Sequence, residues 1–94
     1  MITVRRLLWD DWNVAHIARH GVTPEDIEEV CQGEYLVRQT YQGRFLVIGP
    51  NASGKLLSAV LAPEGEGIYY VVTARAAAKQ ERRIYRQFQG DERK

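Results

Sequence analysis

Cationic side chains recur at helical spacing near the C-terminal end of the sequence, and they are Arg75, Lys79, Arg82 and Arg86. Because they are separated by four, three and four residues, they would form one ridge on a helix. Glu81 and Tyr85 lie in the same segment. An arginine fork matches two phosphate oxygens, a carboxylate can accept a proton, and a tyrosine can donate a proton or stack on a base. The segment therefore favours a phosphate-bearing partner, although Glu81 could instead pair with an arginine and Tyr85 could pack in the core.

The charges are distributed unevenly along a chain whose formal net charge is only +1. Residues 10–34 carry seven acidic side chains and one arginine, whereas residues 69–94 carry seven basic side chains and three acidic ones. This asymmetry is typical of chains that bind an anionic partner. The alternative is that acidic and basic helix faces are solvated and pair with each other.

The two histidines and the single cysteine are weaker candidates for chemistry. His16 and His20 are four residues apart, a spacing that could chelate a metal, but no third ligand follows in the sequence and we expect no metal. His20 precedes Gly21 and could serve in proton transfer or bind the last carbonyls of a helix. Cys31 lies among apolar residues and is expected to be a small buried hydrophobe, not a nucleophile. A lone cysteine cannot form an internal disulfide, which is typical of the reducing cytoplasm.

The segment from Gly49 to Leu56 loosely resembles a phosphate-binding loop because it contains Gly-x₄-Gly-Lys. Leu56 stands where that motif requires a serine or threonine for magnesium, and no helical pattern follows. We therefore predict a hairpin turn here.

The N-terminal part predicts a short strand over residues 4–9 and a helix over residues 11–20. Asp10 is a suitable N-cap for this helix, and Gly21 is a suitable residue to end it. The side of the helix that faces the core is expected to carry Val14, Ile17 and Ala18, and the opposite side Trp12, His16 and Arg19.

A second helix is predicted to begin at Thr23 and Pro24, because threonine caps a helix and proline fits its first turn. Acidic residues follow, where they favour the positive end of the helix dipole. Ile27, Val30 and Cys31 form its apolar stripe, and Gly33 ends it.

The rest of the sequence predicts four strands and a last helix. The strands span residues 35–41, 44–49, 55–61 and 68–73, and the glycine-bearing gaps of two to five residues between them indicate an antiparallel meander. The helix starts at Ala74 or Arg75 and runs to about Gln89, packs Ile84 and Phe88 on the sheet, and stops at Gly90. We expect residues 91–94 to be a loose tail and residues 1–94 to form one α+β domain.

Three segments, in this order, resemble one known family. The first is WDDWNVAHIARHGVT, residues 9–23, with a Trp-Asp start, an asparagine, and Arg-His-Gly before the second helix. The second is RFLVIG, residues 44–49, and the third is VVTARAAAKQERRIY, residues 71–85, with Thr-Ala-Arg, then Glu-Arg, and a tyrosine four residues after the glutamate. This set is similar to the signature of the BrnT toxins of bacterial type II toxin–antitoxin systems, which belong to the RelE-like group.

The resemblance implies a RelE-like fold, in which helices precede a small antiparallel sheet and another helix follows it. It also implies a ribonuclease toxin that inhibits translation, is silenced by a cognate antitoxin, and reaches operator DNA only through that antitoxin. No cofactor is implied. RNA can be cut without a metal when its own 2′-OH attacks the adjacent phosphate, provided that the protein orients the nucleotide, moves the protons and neutralises the added charge.

Carried over by position, the polar signature of the family falls on Asn13, His20, Arg44, Arg75, Glu81 and Tyr85. Arg44 and Arg75 are expected to bind phosphate, Glu81 or a histidine such as His20 to accept a proton, and Tyr85 to stack or to donate one. The residues expected to bind RNA along the helix are Lys79, Arg82, Arg83 and Arg86. Two positions depart from many relatives, namely Leu61, where they have a histidine, and Tyr70, where they have a basic residue.

Two functions therefore stay open, an endoribonuclease and a catalytically inactive RNA- or protein-binding module of the same fold. A homodimer formed through exposed strand edges is a third interpretation. No apolar run approaches the roughly 20 residues that span a bilayer, and the N-terminus does not have the pattern of a signal peptide. We therefore expect a cytoplasmic bacterial protein without membrane contact.

Overall fold

The computed structural model describes residues 2–92, and in this part of the chain five strands form one mixed sheet with helices on both faces. In chain order the elements are β1 (Arg6–Leu8), α1 (Asp11–Ala18), α2 (Pro24–Gln32), β2 (Leu36–Gln39), β3 (Phe45–Pro50), β4 (Leu56–Gly65), β5 (Ile68–Ala76) and α3 (Lys79–Glu92). The predicted α+β fold is confirmed, with its elements in the predicted order. None of the helices within residues 2–92 combines the length and the apolar character needed to cross a membrane.

The strands are arranged in the order β1-β5-β4-β3-β2. Strands β2 to β5 are antiparallel neighbours, as the meander predicts. β1 is the edge strand next to β5 and pairs with it in parallel, with Leu7 opposite Tyr69. The sequence predicts this strand but not its partner, because three residues carry no signal for a pairing so far along the chain.

Both N-terminal helices begin at capping boxes. Asp10 accepts a hydrogen bond from the backbone N–H of Asn13 (2.8 Å), and Asn13 Oδ1 accepts one from the N–H of Asp10 (2.9 Å). Thr23 and Asp26 make the same exchange at the start of α2, at 3.2 and 3.0 Å. The bond from the Thr23 N–H outweighs partial burial and holds the pKa of Asp26 below its ordinary value. After α1, Gly21 has a φ of +74°, a conformation that favours glycine.

The buried side of α1 differs from the prediction. Ile17 is buried as expected, but Val14 and Ala18 are exposed, and Asn13 is the second buried residue of the helix. Asn13 Nδ2 donates to the carbonyls of Leu8 and Val71, each at 3.0 Å. These carbonyls belong to β1 and β5, so a polar side chain that satisfies them is buried in place of an apolar one.

Two apolar clusters hold the helices on the sheet. The first joins one sheet face to α1 and α2 and includes Val47, Leu61, Val71, Ile17 and Ile27. The second joins the opposite face to α3 and is centred on Ile48, Ala77 and Tyr85. Phe88 packs on the second cluster as predicted, whereas Ile84 is only half-buried and Tyr85 is the most buried side chain of α3.

The last helix begins later than the sequence predicts. β5 runs through Ala76, and Arg75 pairs with Ser58 of β4, so the predicted start at Ala74 or Arg75 is wrong. The alanines around this point favour a helix locally, but pairing with β4 outweighs that preference. α3 also continues through residue 92, past the expected stop at Gly90. Of the predicted tail over 91–94, residues 91–92 are helical and residues 93–94 lie outside the described part.

The segment that resembles a phosphate-binding loop is the turn of the β3–β4 hairpin, as predicted. Asn51 Oδ1 accepts hydrogen bonds from the backbone N–H groups of Ser53 (3.1 Å) and Lys55 (2.9 Å). The polar groups of this loop are therefore used to close the turn.

Candidate functional site

Helix α3 leaves part of the sheet face beneath it uncovered. Ile48 and Ser58, which pair across β3 and β4, are buried, whereas the next pair on the same face, Leu46 and Val60, is only partly buried. Alternate residues of a strand point to the same face, and this row continues into the strands on either side. The uncovered surface, called the open face below, is formed by Arg38, Tyr41, Arg44, Val60 and Thr73.

A depression of about 180 Å³ lies at the Arg44 end of the open face. Arg44 follows the short turn Tyr41–Gly43, in which Gln42 and Gly43 have positive φ angles of 64° and 71°. The turn presents the ring of Tyr41 to solvent, with 78% of the residue exposed. An aromatic ring can stack on a nucleotide base and a guanidinium can bind a phosphate, so this pair of groups is chemically suited to a nucleotide.

Arg75 and Glu81 form an ion pair at the border between the open face and α3. Arg75 Nη1 donates to Glu81 Oε1 (2.7 Å), and Nη2 donates to Oε2 (3.0 Å). Glu81 Oε1 also accepts hydrogen bonds from the hydroxyl of Ser58 and the backbone N–H of Ala78, each at 2.8 Å. The carboxylate therefore connects β4, β5 and the first turn of α3.

The pKa values of this pair reflect its hydrogen bonds. Burial raises the pKa of Glu81, but the hydrogen bonds from Arg75, Ala78 and Ser58 outweigh it and hold the pKa below the ordinary value of 4.5. The hydrogen bond to Glu81 raises the pKa of Arg75. Glu81 is therefore an anion at neutral pH whose oxygens are already engaged, which suits positioning of Arg75 better than proton transfer.

Arg75 lies near the depression because it is two residues from Thr73 on β5, a span of roughly 7 Å. Its side chain is 46% exposed. Its hydrogen bonds to Glu81 and to the carbonyl of Ala76 use three of the five N–H groups of the guanidinium. The guanidinium has two further N–H groups, which can donate to an anionic ligand. The structure thus places Arg44, Arg75 and Glu81 on one sheet face.

The predicted cationic ridge is divided between two elements. Arg75 belongs to β5, so its inclusion in a helical ridge is wrong. The cations that α3 exposes are Lys79, Arg82, Arg83 and Arg86. Arg82 Nη1 also donates to the carbonyl of Ala77 (2.8 Å), a residue of the link between β5 and α3.

Tyr85 is a core residue. It is 2% exposed, packs on Phe88 with ring centroids 5.8 Å apart, and donates a hydrogen bond from its hydroxyl to the carbonyl of Glu34 (3.0 Å). A ring buried in this way is not placed to stack on a base. The helical pattern puts Tyr85 at the edge of the apolar side, whereas the structure places it in the buried cluster with Ile48 and Ala77.

The histidines lie on and beyond α1, beside the open face. His16 Nε2 is 3.2 Å from Thr73 Oγ1. His20 is exposed after the end of α1, with its ring edge-on to that of His16 and the centroids 5.7 Å apart. His20 does not line the depression, whereas His16, which was not predicted as a site residue, contacts the open face. Within residues 2–92, no group of three His, Cys, Asp or Glu side chains is arranged to hold a metal ion.

The two residues that depart from the family pattern, Leu61 and Tyr70, lie in different surroundings. Leu61 is completely buried in the cluster under α1 and α2, so it points away from the open face. Tyr70 donates a hydrogen bond from its hydroxyl to the carboxylate of Asp10 (3.0 Å). Cys31 is mostly buried, and this burial raises the pKa of its thiol to about 12, as expected of a structural cysteine.

Sequence reasoning missed Arg38, Tyr41 and Ser58. Arg38 alternates with Leu36 along β2, so the period of two places both on one face. That signal becomes useful only when the register with β3 is known, because the register decides that Arg38 lies opposite Leu46. Ser58 carries no local signal at all, since its partner Glu81 lies on another element.

The fold is similar to that of a known toxin. The crystal structure of the Brucella abortus ribonuclease toxin BrnT matches this chain with a TM-score of 0.64 and 23% sequence identity, over 79% of this chain and 97% of that chain. No protein-family model matches the sequence, and the search of characterised proteins found no match. The likeness shows that this chain has the BrnT-like fold that the sequence predicts.

Proposed function

We propose that this chain is an endoribonuclease toxin that cuts RNA without a metal and is neutralised by a cognate antitoxin. One observation carries the proposal. In a fold shared with a ribonuclease toxin, Arg44 lines a depression on an open sheet face, and the Arg75–Glu81 ion pair lies at the border of the same face. A face with one arginine at a depression and another at its border suits a phosphate backbone.

In the proposed reaction, RNA lies across the open face with the scissile phosphate between Arg44 and Arg75. The 2′-OH attacks the adjacent phosphorus, the bond to the 5′-oxygen breaks, and the products are a 2′,3′-cyclic phosphate and a 5′-hydroxyl. The arginines stabilise the negative charge that accumulates on the phosphate oxygens. Arg38 binds a flanking phosphate, and Tyr41 stacks on a neighbouring base.

Proton transfer falls to a histidine in this proposal, because the oxygens of Glu81 are engaged. His16 is the candidate that contacts the open face, through Thr73. His20, whose ring meets that of His16, is the alternative. A side chain in this role contributes about 10²- to 10⁴-fold to the rate, so His16→Ala and His20→Ala should differ by at least tenfold in cleavage rate.

Cleavage of labelled RNA by the purified protein tests the site. We expect cutting to persist in EDTA, and Arg44→Ala and Arg75→Ala to slow it about 100-fold or more. Arg6→Ala is the matched control, because it removes an exposed cation of β1 that lies opposite Ile68, several residues from the open face. Cutting that requires an added metal would reject the metal-independent reaction, and full activity of Arg75→Ala would reject the site.

Glu81 acts in this proposal as a positioning residue, through Arg75. Glu81→Gln keeps one acceptor but loses the charge that holds the guanidinium, so kcat should fall about tenfold while KM changes little. A variant that loses thermal stability but keeps its kcat would show that Glu81 only stabilises the fold.

A binding module is the second candidate function. The observation that favours it is the lining of the depression, which includes an arginine, threonines and a tyrosine but no histidine or carboxylate. Tight RNA binding by the unmutated chain without any cutting would support this candidate over the nuclease.

The remaining parts of the proposal depend on the likeness to a toxin. We expect expression of the chain to arrest translation in the cytoplasm and a neighbouring reading frame to encode a partner that relieves the arrest. Operator DNA should be retained by the complex and not by this chain alone. Growth curves and a gel-shift assay with and without the partner measure both effects, and arrest that no neighbouring gene relieves would contradict the pairing.

A further inference from the structure

A second aromatic feature lies on the exposed side of α1. The indole of Trp12 stacks on the imidazole of His16, with ring centroids 4.9 Å apart and planes inclined by 8°. Trp12 is 61% exposed, although large aromatic residues are usually well buried. The stacked pair therefore contributes little to the core and presents a preordered aromatic surface to solvent.

We infer that Trp12 and His16 form a nucleobase-stacking site for single-stranded RNA. The inference rests on the proposed function and extends the path of the RNA beyond the open face. The pair borders a shallow, open depression of about 460 Å³ whose lining residues all lie on α1 or just after it. Ala15 also lines it, and its small side chain leaves room beside the rings.

This stacking site is joined to the open face by a direct contact. His16 Nε2 lies 3.2 Å from Thr73 Oγ1, and Thr73 lines the depression that holds Arg44. An RNA strand whose phosphate is bound at Arg44 can therefore place a neighbouring base against Trp12 without leaving the protein surface. Because the rings are already stacked, ordering them on binding costs little conformational entropy.

The charges around the depression define how the RNA would lie. Arg19 and Asp11 are the charged residues of its lining. Arg19 can bind a phosphate, whereas Asp11 repels one but can accept a hydrogen bond from the amino group of a base. The backbone is therefore expected to pass on the Arg19 side, with the base turned toward Asp11.

A protein partner is the rival occupant of this surface. We favour RNA because an exposed flat ring accepts any unpaired base. The other large exposed hydrophobic residue of α1, Val14, lies two residues from Trp12 and so about 200° around the helix. The two therefore do not form one continuous apolar patch of the kind that marks a protein interaction site.

Binding of an RNA octanucleotide whose 2′-hydroxyls are methylated, and which therefore cannot be cut, tests the inference. We expect Trp12→Ala to weaken its affinity about tenfold, with an unchanged dependence on salt, because stacking releases no counterions. Trp12→Phe should retain part of the affinity. The same sequence as a duplex should bind Trp12→Ala and the unmutated chain equally, because paired bases cannot stack on the ring.

Val14→Ala is the matched control on the same helix and should leave every affinity unchanged. Equal binding of the single strand by Trp12→Ala and the unmutated chain would overturn the inference, and loss of antitoxin binding in that case would assign the surface to a protein. Binding that depends on Trp12 without any RNA cutting would retain the stacking site and reject the nuclease. RNA cutting that depends on Arg75 but not on Trp12 would retain the nuclease and reject the stacking site.

Discussion

At the scale of single residues, Arg75 shows that one side chain can be both paired and available. An exposed ion pair contributes little to stability on its own. Here the carboxylate partner is largely buried and also accepts hydrogen bonds from Ser58 and Ala78, so the guanidinium is held in one orientation. Two of its N–H groups remain for a ligand. The pair therefore connects three elements of the fold and, in the proposed function, also orients Arg75 toward a phosphate.

The lowered pKa of Glu81 leads to a prediction about stability. A carboxyl group whose pKa is lower in the folded state stabilises the fold above its ordinary pKa, here 4.5, and loses this contribution as pH falls through the folded value. We expect Glu81→Gln to lower the free energy of unfolding by about 1–2 kcal/mol at pH 7. The difference from the unmutated chain should shrink steadily below pH 4.5.

Urea unfolding at several pH values measures this difference. Glu66→Gln is the control, because Glu66 is exposed in the turn between β4 and β5, and it should change stability by less than about 0.5 kcal/mol. A gap between Glu81→Gln and the unmutated chain that stayed constant down to pH 3 would contradict the assignment.

Cys31 leads to a prediction about reactivity. Its thiol has a pKa of about 12, mainly because of burial, against an ordinary value of 9.0. The thiolate is the reactive form, so at pH 8 the folded chain should react with a disulfide reagent about 1000-fold more slowly than the chain unfolded in urea. Equal rates in the two states would show that Cys31 is accessible and ionised.

At the scale of elements, the attachment of α1 depends on one polar side chain. Asn13 joins the helix to β1 and β5 through the carbonyls of Leu8 and Val71. Asn13→Ala would leave both carbonyls buried without this donor, so we expect a loss of about 2–3 kcal/mol in the free energy of unfolding. Denaturant titration measures the loss.

Two variants separate the contributions of Asn13. Asn13→Asp keeps an acceptor for the capping box but loses the donor, so it should be destabilised nearly as much as Asn13→Ala. Val14→Ala, an exposed neighbour, should change stability by less than about 0.5 kcal/mol. If Asn13→Asp had the same free energy of unfolding as the unmutated chain, the capping box, and not the link to the strands, would be the important interaction.

The elements that sequence could predict are those with local signals. Asp10 and Thr23 mark helix starts because the groups they cap lie three residues away. The strand at Arg75 could not be predicted, because its pairing with Ser58 depends on a register set elsewhere in the sheet. The candidate site follows the same rule. Arg44 and Arg75 could be predicted because they lie in segments that resemble a known family, whereas Arg38 is placed at the site only by the register of β2.

At the scale of the whole molecule, the open face follows from an unequal distribution of helices. Two helices cover one side of the sheet, and α3 alone packs on the other side. One helix cannot cover the width of several strands, so part of the second face remains open, with Arg38 of β2, Arg44 just before β3 and Arg75 of β5 on it. The same arrangement leaves the cations of α3 pointing away from the sheet, as a second basic surface.

These two surfaces predict how RNA binding depends on salt. For single strands, the logarithm of the affinity falls with the logarithm of the salt concentration with a slope of about −0.7 for each phosphate neutralised. An octanucleotide that covers the open face and the Trp12 site, with Arg38, Arg44, Arg75 and Arg19, should therefore give a slope of about −3. A longer RNA that also reaches Lys79, Arg82, Arg83 and Arg86 should approach about −6. Arg86→Ala should reduce the slope by about 0.7 for the longer RNA and leave the octanucleotide unchanged. Affinities measured over a fourfold range of salt concentration, from about 50 to 200 mM, test these slopes. A slope that does not depend on RNA length would show that the cations of α3 take no part, and an affinity insensitive to salt would show that neither surface binds phosphate.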